Sequence, residues 1–303
     1  MTTPAFDPDH IAQHLETVRD YIRFAASAFE KANLTYGHGT ANAVDEAFFM
    51  VLDTLDLPLD APDPFLAARL MPDERRRVAA HILARITTRK PAPYILGRAY
   101  IQGYPFTVTE DVIVPRSYLG EILFSGGLVD LLPFGEDVSQ ITRILDLCTG
   151  SGCLAILAAQ VFPDAQIDAV DLSPAALRIA EKNVDDYGLN NRIQLYEGDL
   201  FTPLGENKYD LILSNPPYVS TERVKNFPPE YAAEPVMAHA GGDDGISLVT
   251  RILNAAPRYL TPSGGLLCEV GQTRAAIEAV FPDLDLTWVD TTHAQSEVFW
   301  TRF

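Results

Sequence analysis

Apolar positions recur at helical spacing from about residue 8 to residue 90, with charges between them: Ile11, Leu15, Val18, Ile22 and Phe29, then Val78, Ile82 and Ile86. Asp7-Pro8 and Pro72-Asp73-Glu74 have the form of helix starts, and the prolines between Leu57 and Pro64 break any helix there. The pattern predicts a small helical domain over residues 1–93. From Tyr94 to Val114 the texture changes to β-branched and aromatic residues punctuated by glycine. Gly97, and Gly103 with Pro105, fit turns, while Phe106, Val108, Val112 and Val114 alternate, so 94–117 is expected to form a β-hairpin linker.

A helical stretch is expected around Tyr118 to Leu132. Beyond it, short apolar runs alternate with helical patterns: ITRILDL, CLAILAAQVF, QIDAVDL, PAALRIAEKNVDDY, RIQLYEG and YDLILSN. Buried strands alternating with helices of ~10 to 15 residues predict an α/β domain over 118–303, a parallel sheet covered on both faces with right-handed crossovers. The tail adds GGLLCEVG, LDLTWVD and SEVFWTRF, and the last two are expected to pair as a hairpin at the sheet edge. No internal repeat interrupts this order.

Hydrophobic residues make up 47% and charged residues 21% of the 303 positions, enough for a sizeable core and incompatible with wholesale disorder. Lys plus Arg is 23 against 41 Asp plus Glu, a net charge of −18. Proteins that live on nucleic acid gain affinity by neutralising phosphates, so this balance disfavours direct nucleic-acid binding and favours a basic partner. No run approaches the ~18 apolar residues of a membrane span, and MTTPAFDPDH lacks the features of a signal peptide, so a cytoplasmic protein is expected. Cys148, Cys153 and Cys268 form no CxxC pair, and the histidines at 10, 14, 38, 81, 239 and 293 have no metal-ligand spacing. His10 and His14 stand one helical turn apart, as two solvent-facing residues of a surface helix.

The first strand of the sheet domain ends in Asp146-Leu-Cys148-Thr149-Gly150-Ser151-Gly152, and an apolar helix follows at once. Glycines there let the backbone turn sharply and let a ligand lie against main-chain atoms. The second strand ends in Asp171, an acid placed to accept both hydroxyls of a ribose; the other reading is a carboxylate favoured by a helix start. Ser173-Pro174 then caps the next helix, and Gly188 closes it. The third strand leads to Asp199-Leu200, an acid for the amino group of an adenine beside an apolar residue for its face, or an ordinary turn. No phosphate-binding GxxxxGK[ST] loop is present, so an adenosine-bearing cofactor without a chain of phosphates fits best, and S-adenosylmethionine is such a molecule.

The fourth strand runs into Asn215-Pro216-Pro217-Tyr218. Two prolines stiffen the segment and leave outward carbonyls as acceptors. A planar NH₂ could give one hydrogen to the Asn215 side-chain oxygen and one to the Pro216 carbonyl while the Tyr218 ring stacks on its face. Amide nitrogens are poor nucleophiles. As a methyl group arrives the nitrogen becomes tetrahedral and its hydrogens acidic, so these acceptors bind the transition state best and no strong general base is required.

DLCTGSG, Asp171 and NPPY together resemble the class I S-adenosylmethionine-dependent methyltransferases that modify planar amino groups. PAPYILGRAYIQGYPFTVTEDVIVPRS is similar to the corresponding segment of the protein-glutamine methyltransferases, the branch with release-factor and ribosomal-protein enzymes. The resemblance covers nearly the whole chain. It implies a Rossmann-like, mostly parallel seven-stranded sheet, a helical N-terminal domain that helps bind a protein substrate, and methyl transfer to a glutamine amide nitrogen. It implies cofactor contacts from Asp146, Cys148, Thr149, Gly150, Ser151, Gly152, Asp171, Leu172, Asp199, Leu200 and Asn215, with Asn215, Pro216, Pro217 and Tyr218 at the reacting amide.

Release-factor enzymes typically read PRPxTE after the hairpin. Here the run is Pro115-Arg116-Ser117-Tyr118-Leu119-Gly120-Glu121, which looks like the ribosomal-protein branch despite Tyr118 in place of a proline. Tyr36-Gly37-His38-Gly39-Thr40 and the DEA at 45–47 are also similar to that branch, whose substrate is uL3, the basic third protein of the large ribosomal subunit. The rival readings are a release-factor substrate, adenine methylation of nucleic acid, against which the charge argues, and a non-catalytic assembly scaffold, against which the intact Asn215 and Tyr218 argue. Gly241-Gly242-Asp243-Asp244-Gly245 resembles a family loop near the substrate and reads equally well as a flexible turn. Arg116 could hold Glu230, Glu234 or a substrate acid.

Overall fold

The structure is a computed structural model that describes residues 7–60, 63–133, 135 and 137–303; residues 1–6 and Pro62, on which parts of the N-terminal reading rest, lie outside the described residues. The chain forms two compact units. One comprises the chain up to Arg98 together with Phe227–Ala233, the other Ala99–Asn226 and Glu234–Phe303.

The first unit is helical: Pro8–His14, Val18–Lys31, Ala43–Thr54, Asp63–Leu66, Pro72–Thr88 and Ala92–Leu96, joined by the short helix Pro229–Ala232. The apolar stripe expected through Ile11 to Phe29 is two helices, because Thr17 and Asp20 form a reciprocal capping box that starts a new one. The stripes meet in a core of Tyr21, Ile22, Phe29, Met50, Val51, Val78 and Ile82. Within it Arg85, fully buried, donates to Glu46 at 2.7 Å and to the Thr35 carbonyl at 3.0 Å. Glu230 accepts from the Thr35 amide at 3.0 Å and pairs with Arg89 at 2.6 Å. The Tyr36–Thr40 motif is a tight loop, Gly37 N donating to Thr40 O at 2.9 Å, with the His38 ring 4.4 Å from that of Tyr231. The motif is therefore the seat of the 227–233 segment.

The expected hairpin is shorter than the alternation suggests. β1 (Arg98–Ile101) and β2 (Tyr104–Thr107) pair around Gln102-Gly103, and Tyr94–Leu96 is helical. Val108, Val112 and Val114 are buried but lie outside any strand: Val112 N closes a turn on Thr109 O, and Val114 N donates to the Glu234 carboxylate at 2.9 Å instead of to a partner strand. The helix from Tyr118 stops at Phe124 before Gly126-Gly127, and a single 3₁₀ turn over Val129–Leu131 completes the stretch read as helical.

The seven-stranded sheet consists of β3 (Arg143–Leu147), β4 (Gln166–Asp171), β5 (Ile193–Glu197), β6 (Tyr209–Ser214), β7 (Leu260–Glu269), β8 (Thr287–Val289) and β9 (Val298–Thr301), in the order β5-β4-β3-β6-β7-β9-β8. β3 to β7 are parallel; β9 runs antiparallel to β7, and β8 pairs with β9 at the edge as expected. Alternate residues feed two cores. Ile144, Leu211, Leu213 and Leu267 pack with the helix Cys153–Val161, and Leu145, Leu147, Ile212 and Leu266 with the helix Ser247–Tyr259. Among the described residues no helix is long and apolar enough to cross a membrane.

Candidate active site

Strand order reverses between β3 and β6, and open sheets of this kind bind ligands at the carboxyl ends of their strands at that point. The register places Tyr196, Val170, Leu147, Ser214 and Cys268 in one row across β5, β4, β3, β6 and β7. One residue further along each strand stand Glu197, Asp171, Cys148, Asn215 and Glu269. Two cofactor candidates, the candidate catalytic amide and two acids not singled out from the sequence, Glu197 and Glu269, thus share one line.

The glycine loop is held by carboxylates. Asp146 is fully buried; its Oδ2 accepts from Thr149 Oγ1 at 2.5 Å and from Ala155 N at 3.1 Å, while Oδ1 has no partner. Burial pushes this carboxyl up to about 7. Asp171 accepts from Gly150 N and Ser173 N, both at 2.8 Å, tying the loop to the next helix start, and burial raises its carboxyl too. Each oxygen keeps a second acceptor position. Gly152 adopts φ +77° with its absent Cβ 3.2 Å from the Ala180 Cβ, so this turn needs both left-handed backbone and close approach. The Ser151 carbonyl accepts from Asn183 Nδ2 at 2.9 Å, and the Asn183 amide also exchanges two bonds with the Thr107 backbone. Cys148 has φ +61°, and burial pushes its thiol up, so it stays protonated.

The remaining cofactor candidates divide. Leu172 is 56% exposed beside Asp171, an apolar surface open to a ligand. Asp199 forms an exposed pair with Arg251 at 2.7 Å, which would compete with an adenine amine. Leu200, expected to face the adenine, instead lies in the core with Phe201 and Leu204, because its φ of +52° belongs to a turn that directs the side chain inward.

Ser214 Oγ donates to Leu147 O at 3.0 Å, locking β6 to β3 immediately before Asn215. Among the described residues neither the half-buried Asn215 side-chain amide nor the carbonyl of the buried Pro216 makes a hydrogen bond. Tyr218 donates its hydroxyl to Glu269 Oε1 at 3.1 Å, and a Cβ on Gly271 would lie 2.6 Å from its ring. Burial holds this phenol well above its ordinary range, as suits a donor. Glu269 is fully buried, pushed up to about 7 by that burial, and also accepts from Ser117 Oγ at 2.7 Å and Tyr118 N at 2.9 Å. A proline at 117 could not supply the hydroxyl bond. The Gly241–Gly245 loop lies on the same segment: Gly241 N donates to Val219 O at 2.9 Å, and a Cβ there would stand 2.6 Å from the Pro217 carbonyl. Of the three partners open to Arg116, the structure selects Glu234, bidentate at 2.7 Å on both oxygens, with His239 Nε2 3.0 Å from the same carboxylate.

Glu269 and Asn183 were not assigned from the sequence. Glu269 carried a usable signal, an acid closing the apolar run GLLCE just as Asp171 closes IDAVD. Asn183 carried one as well, since it is a lone amide on the buried face that contains Ala176, Ala180 and Val184. Glu234 stood only as one of three partners open to Arg116, because its bonds to Arg116 and the Val114 amide span 118 and 120 residues, a distance that no local pattern reports.

Residues 128–227 match the family model described as Methyltransferase small domain. A Bradyrhizobium diazoefficiens protein named ribosomal protein uL3 glutamine methyltransferase is 49% identical over 288 residues, covering 94% of this chain and 90% of that protein. The Burkholderia pseudomallei protein of the same name is 50% identical over 291 residues, 94% of each. Among solved structures, the hMettl16 catalytic domain in complex with a MAT2A 3′UTR hairpin matches with a TM-score of 0.50 at 15% identity, over 92% of this chain and 89% of that one, a likeness of fold. With about half of all positions identical over almost its whole length, the chain belongs to the ribosomal protein uL3 glutamine methyltransferase family.

Proposed function

We propose that this chain transfers a methyl group from S-adenosylmethionine to the side-chain amide nitrogen of a glutamine in ribosomal protein uL3, in the cytoplasm. The observation that carries the reading is the placement of two unengaged acceptors, Asn215 Oδ1 and Pro216 O, one strand away from the glycine loop at the point where strand order reverses. The residues around that loop fit the cofactor. Asp171 has acceptor positions left for ribose hydroxyls, Leu172 offers apolar surface for a base, and the orphaned Asp146 Oδ1 suits a cationic N–H group.

Bound there, the cofactor supplies an electrophilic methyl on a sulfonium with a neutral leaving group. The chain supplies orientation and acceptors. Asn215 Oδ1 and Pro216 O hold the two amide hydrogens, so the nitrogen lone pair is drawn out of conjugation as the N–C bond forms and the hydrogens become more acidic. Tyr218, kept in place by Glu269 and by the missing side chain of Gly271, gives a flat wall for the planar amide. Overall one N–C bond forms, the C–S bond breaks with its electron pair on sulfur, and the nitrogen sheds one proton to solvent. Positioning supplies much of the acceleration, and the helical unit contributes substrate recognition.

The test is incubation of purified uL3 with the enzyme and methyl-labelled cofactor, followed by peptide mapping. Label on a uL3 glutamine is the expected result; label on a release factor or on duplex DNA with none on uL3 rejects the reading.

A further inference from the structure

A cavity of about 280 Å³ opens beside Tyr218, with Arg223, Asp244, Gly271 and Glu297 among its walls. No residue of the glycine loop lines it, nor does Asp171, so it is distinct from the cofactor contacts. Its volume lies just below the ~300 Å³ at which pockets begin to take whole small-molecule ligands, and suits one long side chain. The charged groups in its walls are not equivalent. Asp244 Oδ1 is already engaged by Ile246 N at 3.0 Å and Ser247 Oγ at 3.3 Å. Arg223 is exposed, where solvent screens its charge. Glu297 is partly buried and, among the described residues, its carboxylate makes neither a hydrogen bond nor an ion pair. Burial raises its carboxyl, and its charge in turn pushes up that of Glu269, so Glu297 is an acid that no cation pairs among the described residues.

Resting on the function proposed above, we infer that this cavity receives a lysine or arginine side chain that neighbours the target glutamine, with Glu297 as its counter-charge. An acidic side chain would bring a further negative charge beside Glu297, Asp244 and Glu269, with only a screened arginine to offset it. An apolar one would bury the Glu297 carboxylate without a partner, a costly arrangement. A basic side chain removes both problems, and its methylenes can lie along the Tyr218 ring.

The test uses the full-length enzyme and uL3 peptides that span the target glutamine, in which each flanking basic residue is replaced in turn by norleucine. Glu297→Gln, near-isosteric and checked for folding by circular dichroism, is expected to raise KM roughly 10-fold for the native peptide. It should leave kcat and cofactor affinity unchanged, and should not alter KM for one of the norleucine peptides. Glu297→Lys should prefer the peptide with glutamate at that same position. Equal effects of Glu297→Gln on all peptides, or none on any, overturn the inference. So does a lower KM of the unaltered enzyme for a glutamate-bearing peptide than for the lysine-bearing one, with that preference lost in Arg223→Ala. Calorimetric titration of the same peptides separates the two readings. Lysine- and Glu297-dependent binding without methylation keeps the cavity assignment and rejects methyl transfer, and methylation with no such dependence does the reverse.

Discussion

At the scale of single residues, some polar groups of the candidate site are fully engaged and others make no bond within the chain. Asn215 is held in place by backbone alone, while its neighbour Ser214 is bonded to β3. Asn215→Ala is therefore expected to leave cofactor affinity within a few-fold and to lower turnover by ~10²- to 10³-fold, the scale of losing one polar transition-state contact; single-turnover kinetics beside calorimetric titration checks both halves. Glu269 gives a pH prediction. Its folded pKa, about 7, lies above its ordinary 4.5, so between these values the folded protein holds a proton that the unfolded chain has released. The stabilising contribution of that proton is complete below about pH 4.5 and is lost as the pH rises through about 7. Glu269→Gln should thus gain stability relative to the parent as pH rises from about 5 to about 8, read as the difference in denaturant midpoints. A constant difference would count against the raised value. Asp171 and NPPY stood out as candidates because they close apolar runs; Glu269 closed one too, but only the register shows that it shares their row.

Elements were more legible than the ways they are joined. Ser173 caps its helix by accepting from Ala176 N, Pro174 opens it and Gly188 follows its end, all as the local residue types dictate. The hairpin was over-extended because alternation at Val108, Val112 and Val114 reports burial, and burial can be met by a loop whose amide finds a carboxylate. The segment between NPPY and Gly241 shows the same limit. Its short helix Pro229–Ala232 belongs to the N-terminal unit, where Glu230 sits among Arg85, Arg89 and Thr35. Arg85→Met strands the buried Glu46 and is expected to cost ~3–5 kcal/mol, whereas Lys182→Met, which removes an exposed i,i+4 pair with Asp186, should cost no more than ~0.5 kcal/mol. Chemical denaturation of both variants measures the contrast, and similar losses would show that Arg85 is not the keystone of that cluster.

At the scale of the whole molecule, a net charge of −18 favours encounter with a basic substrate. Between ~0.1 and ~1 M salt the Debye length falls from ~10 to ~3 Å, so KM for uL3 should rise over that range while kcat holds steady. A salt-independent KM would show that this charge does not steer the substrate. The chain by itself determined the α/β class, the glycine loop, the strand-end acids and the proline-stiffened segment after β6, because periodicity, turn chemistry and capping are local properties that neighbouring residues settle among themselves. Only the tertiary structure decided which strand ends stand in one row, that Arg116 grips Glu234, that Leu200 turns inward and that Glu269 anchors both Tyr218 and Ser117. Those outcomes depend on contacts between groups scores of residues apart, where partners of the same residue type compete and only packing and the low dielectric of the interior select among them.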